Sequence, residues 1–208
     1  MKRVLMGVVL ATAVSAVWAD GYVGAAYGNS KAGVKCDSGM PCDHRASNPF
    51  KIYGGTKIAD LPNFGMEVSY IRFGSFDAQH ARQVYDVGAA ATVDSHENHH
   101  INARAITAAL VGRYEPVSNL NLVGRVGLAY SIASVDYAVM SVNNGAASGY
   151  VSNGSQTSSK VKPYLGVGVE YDIKGIVKVA LAYDWSQYSV AEEKGNVSLW
   201  SLGVQKDF

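Results

Sequence analysis

Beyond its first 19 residues the chain lacks any apolar run near the roughly 18–20 residues that a membrane-crossing helix needs, so helical spans are excluded. Charge is scarce: 17% of residues are Asp, Glu, Lys or Arg, and the formal net charge is +1. Discounting Lys2 and Arg3, which belong to the N-terminal leader described below, leaves −1 and no basic stripe for a nucleic acid backbone. The two cysteines, Cys36 and Cys42, are too far apart for the C-x-x-C spacing of a redox motif. No serine and histidine stand in a recognisable nucleophile motif, and the adjacency of Ser95 and His96 says nothing of geometry. The glycines of "GVGVE" resemble part of a dinucleotide loop, but they lie inside a strand pattern with no helix after it.

What is present begins with a leader. Lys2 and Arg3 precede an apolar run from Val4 to Val14, and small residues lead to Ala19 before Asp20. This is the layout of a secretory signal peptide cleaved after Ala19, leaving residues 20–208 as the mature domain. In an exported chain the pair Cys36 and Cys42 reads as a disulfide, with Gly39 and Pro41 between them to allow a tight closure. The 22 glycines and 13 tyrosines give the remainder a β composition.

Period-two alternation locates the strands. From Val161 to Asp172, Val161, Pro163, Leu165, Val167, Val169 and Tyr171 share one face, with Lys162, Tyr164, Gly166, Gly168, Glu170 and Asp172 on the other. Val177 to Trp185 repeats the pattern, with Lys178, Ala180, Ala182 and Asp184 opposite. Similar runs lie around Val23–Tyr27, Phe50–Lys57, Phe64–Tyr70, Ile101–Tyr114, Leu120–Ile132 and Trp200–Phe208, making eight strands. Short turns are expected at Ala59–Asn63, Glu115–Ser118 and Ile173–Gly175, and four long loops near Ser30–Asn48, Ser75–Asn98, Met140–Ser159 and Ser189–Gly195.

One face of these strands is bulky and apolar; the other is Gly, Ala, Ser and scattered charge. A soluble barrel, such as a lipocalin-like carrier, would put its bulky face inside. A closed eight-stranded barrel has room only for side chains, and small residues with a few paired charges suit that narrow interior. The bulky face then points outward into lipid, and the sheet must close because an open edge would strand backbone groups in hydrocarbon. The reading is an all-β, eight-stranded antiparallel up-and-down transmembrane barrel. Its girdle aromatics are Tyr70, Trp185 and Trp200 on the loop side, and Phe64, Tyr171 and Phe208 on the turn side.

The segments "GYVGAAYG", "FKIYGGTKIADLPNFGMEVSYIRFG", "LVGRVGLAY", "KPYLGVGVEYDI", "LAYDW" and "SLGVQKDF", in this order, resemble the OmpA-type eight-stranded outer-membrane barrels of Gram-negative bacteria. The resemblance implies an outer-membrane location, contact with outer-membrane lipid and lipopolysaccharide, and recognition by the barrel-insertion machinery. Leu202, Gly203, Val204 and Phe208 match the insertion signal; Lys206 departs from it. It also implies interior acids on the third and sixth strands, matched by Glu67 and Glu170, with Arg125 as a candidate base. The seventh-strand base is replaced by Ala180. Some relatives carry a periplasmic peptidoglycan-binding domain, whose activity is not transferred to this barrel.

The inward charges Glu67, Arg125 and Glu170, with Lys57 and Lys178 nearer the turns, read as a packed plug; the alternative is a narrow pore gated by ion-pair exchange. His44, His80, His96, His99 and His100 fall in or beside the loops. The i, i+4 spacing of His96 and His100 shares a face only on a helix, so no metal site and no cofactor are expected. The expected function is non-enzymatic: a structural, surface-display barrel. Its alternatives are loops that bind a host or environmental ligand, and a rim enzyme acting on lipid.

Overall fold

The computed structural model describes residues 21–33, 42–86, 91–143, 146–173, 175–190 and 193–208, leaving aside the side chains of 42–45, 78–86, 91–98, 137–143, 146–153 and 193. The strands are β1 (Gly21–Ala32), β2 (Cys42–Ser47), β3 (Phe50–Ile58), β4 (Leu61–Asp86), β5 (Ala91–Val117), β6 (Leu120–Asn143), β7 (Ala146–Ile173), β8 (Val177–Val190) and β9 (Glu193–Asp207). From β3 onward each pairs antiparallel with the next, and β1 pairs with β3 on one side and β9 on the other. The closing seam runs from Tyr22↔Asp207 to Ala32↔Val197, so the sheet is a ring.

β2 is the upper part of the second strand of that ring: like β3, it pairs with both β1 and β4. The break falls at Asn48, whose φ of 52° is left-handed, and Pro49, which has no N–H to donate to a ladder. Across from it Gly74 has φ 97°, and a Cβ there would lie 2.4 Å from the carbonyl oxygen of Ser47. The β4–β5 register shifts at the same level, between Arg72 and Gly74. The ring therefore has eight strand positions, the second in two pieces.

Parity decides which side chains face out. Val167, Leu181 and Leu202 are 59, 50 and 61% exposed, whereas Glu67, Arg125 and Glu170 on the opposite face are buried. Phe64, Tyr171, Trp200 and Phe208 also face outward. Small inward residues make room for large ones. Tyr22 pairs with Gly55 and Tyr53 with Gly24, and a Cβ on either glycine would come within 2.5 Å of the facing ring. Each tyrosine thus lies across the bare backbone of its neighbour.

The long connections read from the sequence need correction. Strand pairing continues through most of three of them, as far as Asp86↔Ala91, Asn143↔Ala146 and Val190↔Glu193. Polarity explains the misreading. Through the level of Tyr70, Ile106 and Tyr130 the outward residues are apolar. In the next row Arg72 and Arg104 stand between outward Phe50 and Ile132, and above that row the outward residues are Asn102, Ser134 and Asp136, while Phe73, Phe76, Ile101, Val135, Val197 and Leu199 are buried inside. The wall is the same; the medium outside it has changed from hydrocarbon to water, so the apolar side chains change sides. Burying each large one is worth about 1.5–3 kcal/mol.

Val167→Arg is expected to lower unfolding stability by about 2–4 kcal/mol in lipid vesicles. Ser134→Arg, outward but above the change, should move it by no more than about 0.5 kcal/mol. Urea titration of the two folded variants checks both.

Candidate functional site

The inward face carries a compact set of charges at the height of the apolar outer band. The β4 carboxylate Glu67 accepts from Arg125 Nε on β6 at 3.0 Å and lies 3.3 Å from Lys51 Nζ on β3. Its second oxygen accepts from the Tyr22 hydroxyl at 3.1 Å. Arg125 reaches on through Nη2 to Glu170 on β7 at 3.4 Å, and Arg113 on β5 donates to the other Glu170 oxygen at 3.4 Å. Lys51 also donates to Asp184 on β8 at 3.0 Å and to the Tyr164 hydroxyl at 3.1 Å; that hydroxyl in turn donates to Asp184.

Three bases, Lys51, Arg113 and Arg125, thus meet three acids, Glu67, Glu170 and Asp184, and nearly all are buried. A lone charge here would cost several kcal/mol, so neutrality is the condition for burial. Aromatic faces take up the remaining cationic surface. The Arg113 guanidinium lies 4.5 Å from the centre of the Tyr22 ring, and Lys51 Nζ lies 5.1 Å from that of Tyr53. Gly166 gives the network space, since a Cβ there would touch both Asp184 and Arg125. Among the buried serines, Ser69 bonds Thr107 at 2.6 Å and Ser186 donates to the Pro163 carbonyl at 3.0 Å, while the hydroxyls of Ser189 and Ser201 have no hydrogen-bond partner among the described residues.

Of the residues singled out from sequence, Glu67, Arg125 and Glu170 meet in this network. Lys57 and Lys178 do not: each sits six residues nearer the turns than Lys51 or Asp184, about 20 Å along its strand. Lys178 instead pairs with Asp207 at 2.7 Å at the turn-side rim. Ala180 lies directly beside Glu170, and the base absent there is supplied by Arg113 and Arg125. The members missed were Lys51, Arg113, Asp184 and the tyrosines. Lys51, Tyr53, Tyr164 and Asp184 carried the inward parity signal; Arg113 lay in a run whose two faces were hard to tell apart.

Leu202 and Val204 face outward, Gly203 inward, and Phe208 outward at the rim. Cys36 and the Cys42 side chain, and with them the expected disulfide, lie outside the described residues, as do the side chains of His44, His80 and His96. His100 Nδ1 contacts Asp77 Oδ1 at 2.6 Å on the exposed outer face. Among the described residues no group of three or more His, Cys, Asp or Glu side chains could hold a metal ion.

A sequence model for the outer membrane protein β-barrel domain matches residues 4–208. The chain belongs to that family. This barrel is similar in structure to Neisserial surface protein A, with 18% identity and a TM-score of 0.52 over 90% of this chain and 97% of that one. It is similar also to Ail, the attachment invasion locus protein of Yersinia pestis, in complex with the heparin analogue sucrose octasulfate: 14% identity, TM-score 0.50, 91% and 98% covered. The N-terminal barrel domain of Pseudomonas aeruginosa OprF aligns at 13% identity and a TM-score of 0.41, covering 90% and 97%. These likenesses speak to fold. No curated protein sequence matches the chain.

Glu67→Ala leaves Lys51 and Arg125 facing each other without their shared acid, and should cost about 3–5 kcal/mol of unfolding stability. Lys178→Ala removes a pair at the wetter rim and should cost no more than about 1 kcal/mol. Urea-induced unfolding in vesicles measures the difference.

Proposed function

We propose that this family member is a non-enzymatic surface-display barrel of the Gram-negative outer membrane, with a lumen packed shut and its long hairpins directed outward. The observation that carries this reading is the layered interior. A charge-neutral network fills the lumen at membrane height, and Phe73, Phe76, Ile101, Val135 and Leu199 form an apolar layer above it. An ion crossing the barrel would have to break the first and pass the second.

In this reading the leader is removed near Ala19, and Leu202, Gly203, Val204 and Phe208 are read by the insertion machinery. The Cys36–Cys42 disulfide staples the first outer connection. The paired ladder of β4 and β5, from Phe64↔Gly112 to Asp86↔Ala91, extends well past the girdle. That length favours, as a second reading, a hairpin that engages a host or environmental ligand.

In planar bilayers the folded protein should show no steady conductance; regular current steps would instead support the gated-pore reading. In detergent gels the unheated protein should migrate differently from the boiled protein, because a closed ring resists unfolding. Identical migration would count against a closed barrel.

A further inference from the structure

We propose that Arg72 and Arg104 form a binding site for the phosphate of a lipid headgroup on the outer wall of the barrel. The two arginines stand directly opposite each other on β4 and β5, both outward and both exposed. Like charges directly opposed across a ladder are destabilising. Yet among the described residues neither guanidinium has an ion-pair or hydrogen-bond partner. The outward acids on neighbouring positions, Asp77 and Asp136, flank His100, about 13 Å further along β5 than Arg104, and Asp77 is already bonded to His100. An arrangement of two forks with no acid between them is neutralised by a bound anion, and two planar guanidiniums suit a phosphate's several oxygens.

The surroundings form a recess of about 350 Å3 whose walls include Phe50, Tyr70, Arg72, Asn102, Arg104 and Ser134. Ser75 donates to the side-chain Oδ1 of Asn102 at 2.6 Å, so the group the Asn102 side chain has left to offer is its NH2. Height selects a lipid. The arginines occupy the first outward row above Tyr70, Ile106 and Tyr130, where the wall turns from apolar to polar. The Phe50 ring, packed 5.9 Å from Tyr70, also borders an apolar groove of about 610 Å3 floored by Ala25 and flanked by Ile52 and Val204. A phosphate in the recess would thus have hydrocarbon-lined surface beside it. This inference rests on the outer-membrane reading above, which puts the row among the headgroups of the outward leaflet.

The test uses the purified full-length folded protein in detergent micelles, titrated by native mass spectrometry with diphosphoryl lipid A, with the same lipid stripped of both phosphates, and with inorganic phosphate. The wild type should bind diphosphoryl lipid A at least about tenfold more tightly than the Arg72→Gln/Arg104→Gln double variant. Lys206→Gln, an outward cation at the turn side, should bind like the wild type. The stripped lipid should bind the wild type as weakly as the double variant binds the intact one. Equal binding by wild type and double variant, or equal binding of intact and stripped lipid, would overturn the proposal. Displacement of the lipid by equimolar inorganic phosphate would mean a soluble-anion site and would overturn it too. Should the double variant fail to fold, as read by its heat-modifiable migration, Arg72→Lys and Arg104→Lys keep the charge and lose the fork; each should weaken binding, and unchanged binding by both would overturn the proposal. Micelles have no sidedness, so they read the site alone. External protease on intact cells reads the orientation separately: failure to cut the β4–β5 hairpin would sink the surface-display reading and leave a positive micelle result standing.

Discussion

A sheet in hydrocarbon has nowhere to leave an unpaired backbone N–H or carbonyl, and that constraint organises this protein. β1 must find β9, and it does so over eleven register pairs, from Tyr22↔Asp207 to Ala32↔Val197. Closure at eight strand positions then sets a lumen only wide enough for side chains. Glycine and alanine line much of it, and tyrosine rings lie over glycines where the wall allows. The charges that enter it do so as a balanced set, because burial in a narrow lumen penalises any surplus.

The lumen and the outer wall answer to each other level by level. Where lipid surrounds the barrel, apolar side chains go out and Glu67, Arg125, Lys51 and Asp184 go in. Where the wall rises past Tyr70 and Tyr130, Phe73, Phe76 and Ile101 go in and Arg72, Arg104 and Ser134 go out. The same strands carry both patterns, with a bulge at Arg72–Gly74 close to the crossing on β4. The arginine pair belongs to that crossing, where an outward charge first ceases to face acyl chains.

Much of this was legible in the sequence. The clean alternation of Val161–Asp172 and Val177–Trp185 located two full crossings, and the small-versus-bulky contrast gave the sign of the faces. Residues 75–98 and 140–159 were not legible as strand. A hairpin in water needs no bulky outer face, and on β4 the bulge interrupts the parity that would have carried the pattern upward. Glu67, Arg125 and Glu170 were recognisable through a family resemblance, but pairing depends on the stagger of neighbouring strands, which parity does not report. Lys57 and Lys178 have the right parity at the wrong height, while Lys51 and Asp184 have both. Arg113 was hidden because Ala103, Ala105 and Ala109 inside and Ile106 and Leu110 outside give β5 two faces of similar hydropathy.

Which face of the wall meets lipid is tested directly by a nitroxide scan along β6 from Leu122 to Asp136 in lipid vesicles, read by collision with oxygen and with a water-soluble nickel complex. Even-numbered positions through Tyr130 should collide with oxygen, Ser134 and Asp136 should collide with nickel, and odd-numbered positions should be shielded from both. Oxygen collisions at Val123, Arg125 and Ala129, with Val126 and Leu128 protected, would contradict this orientation.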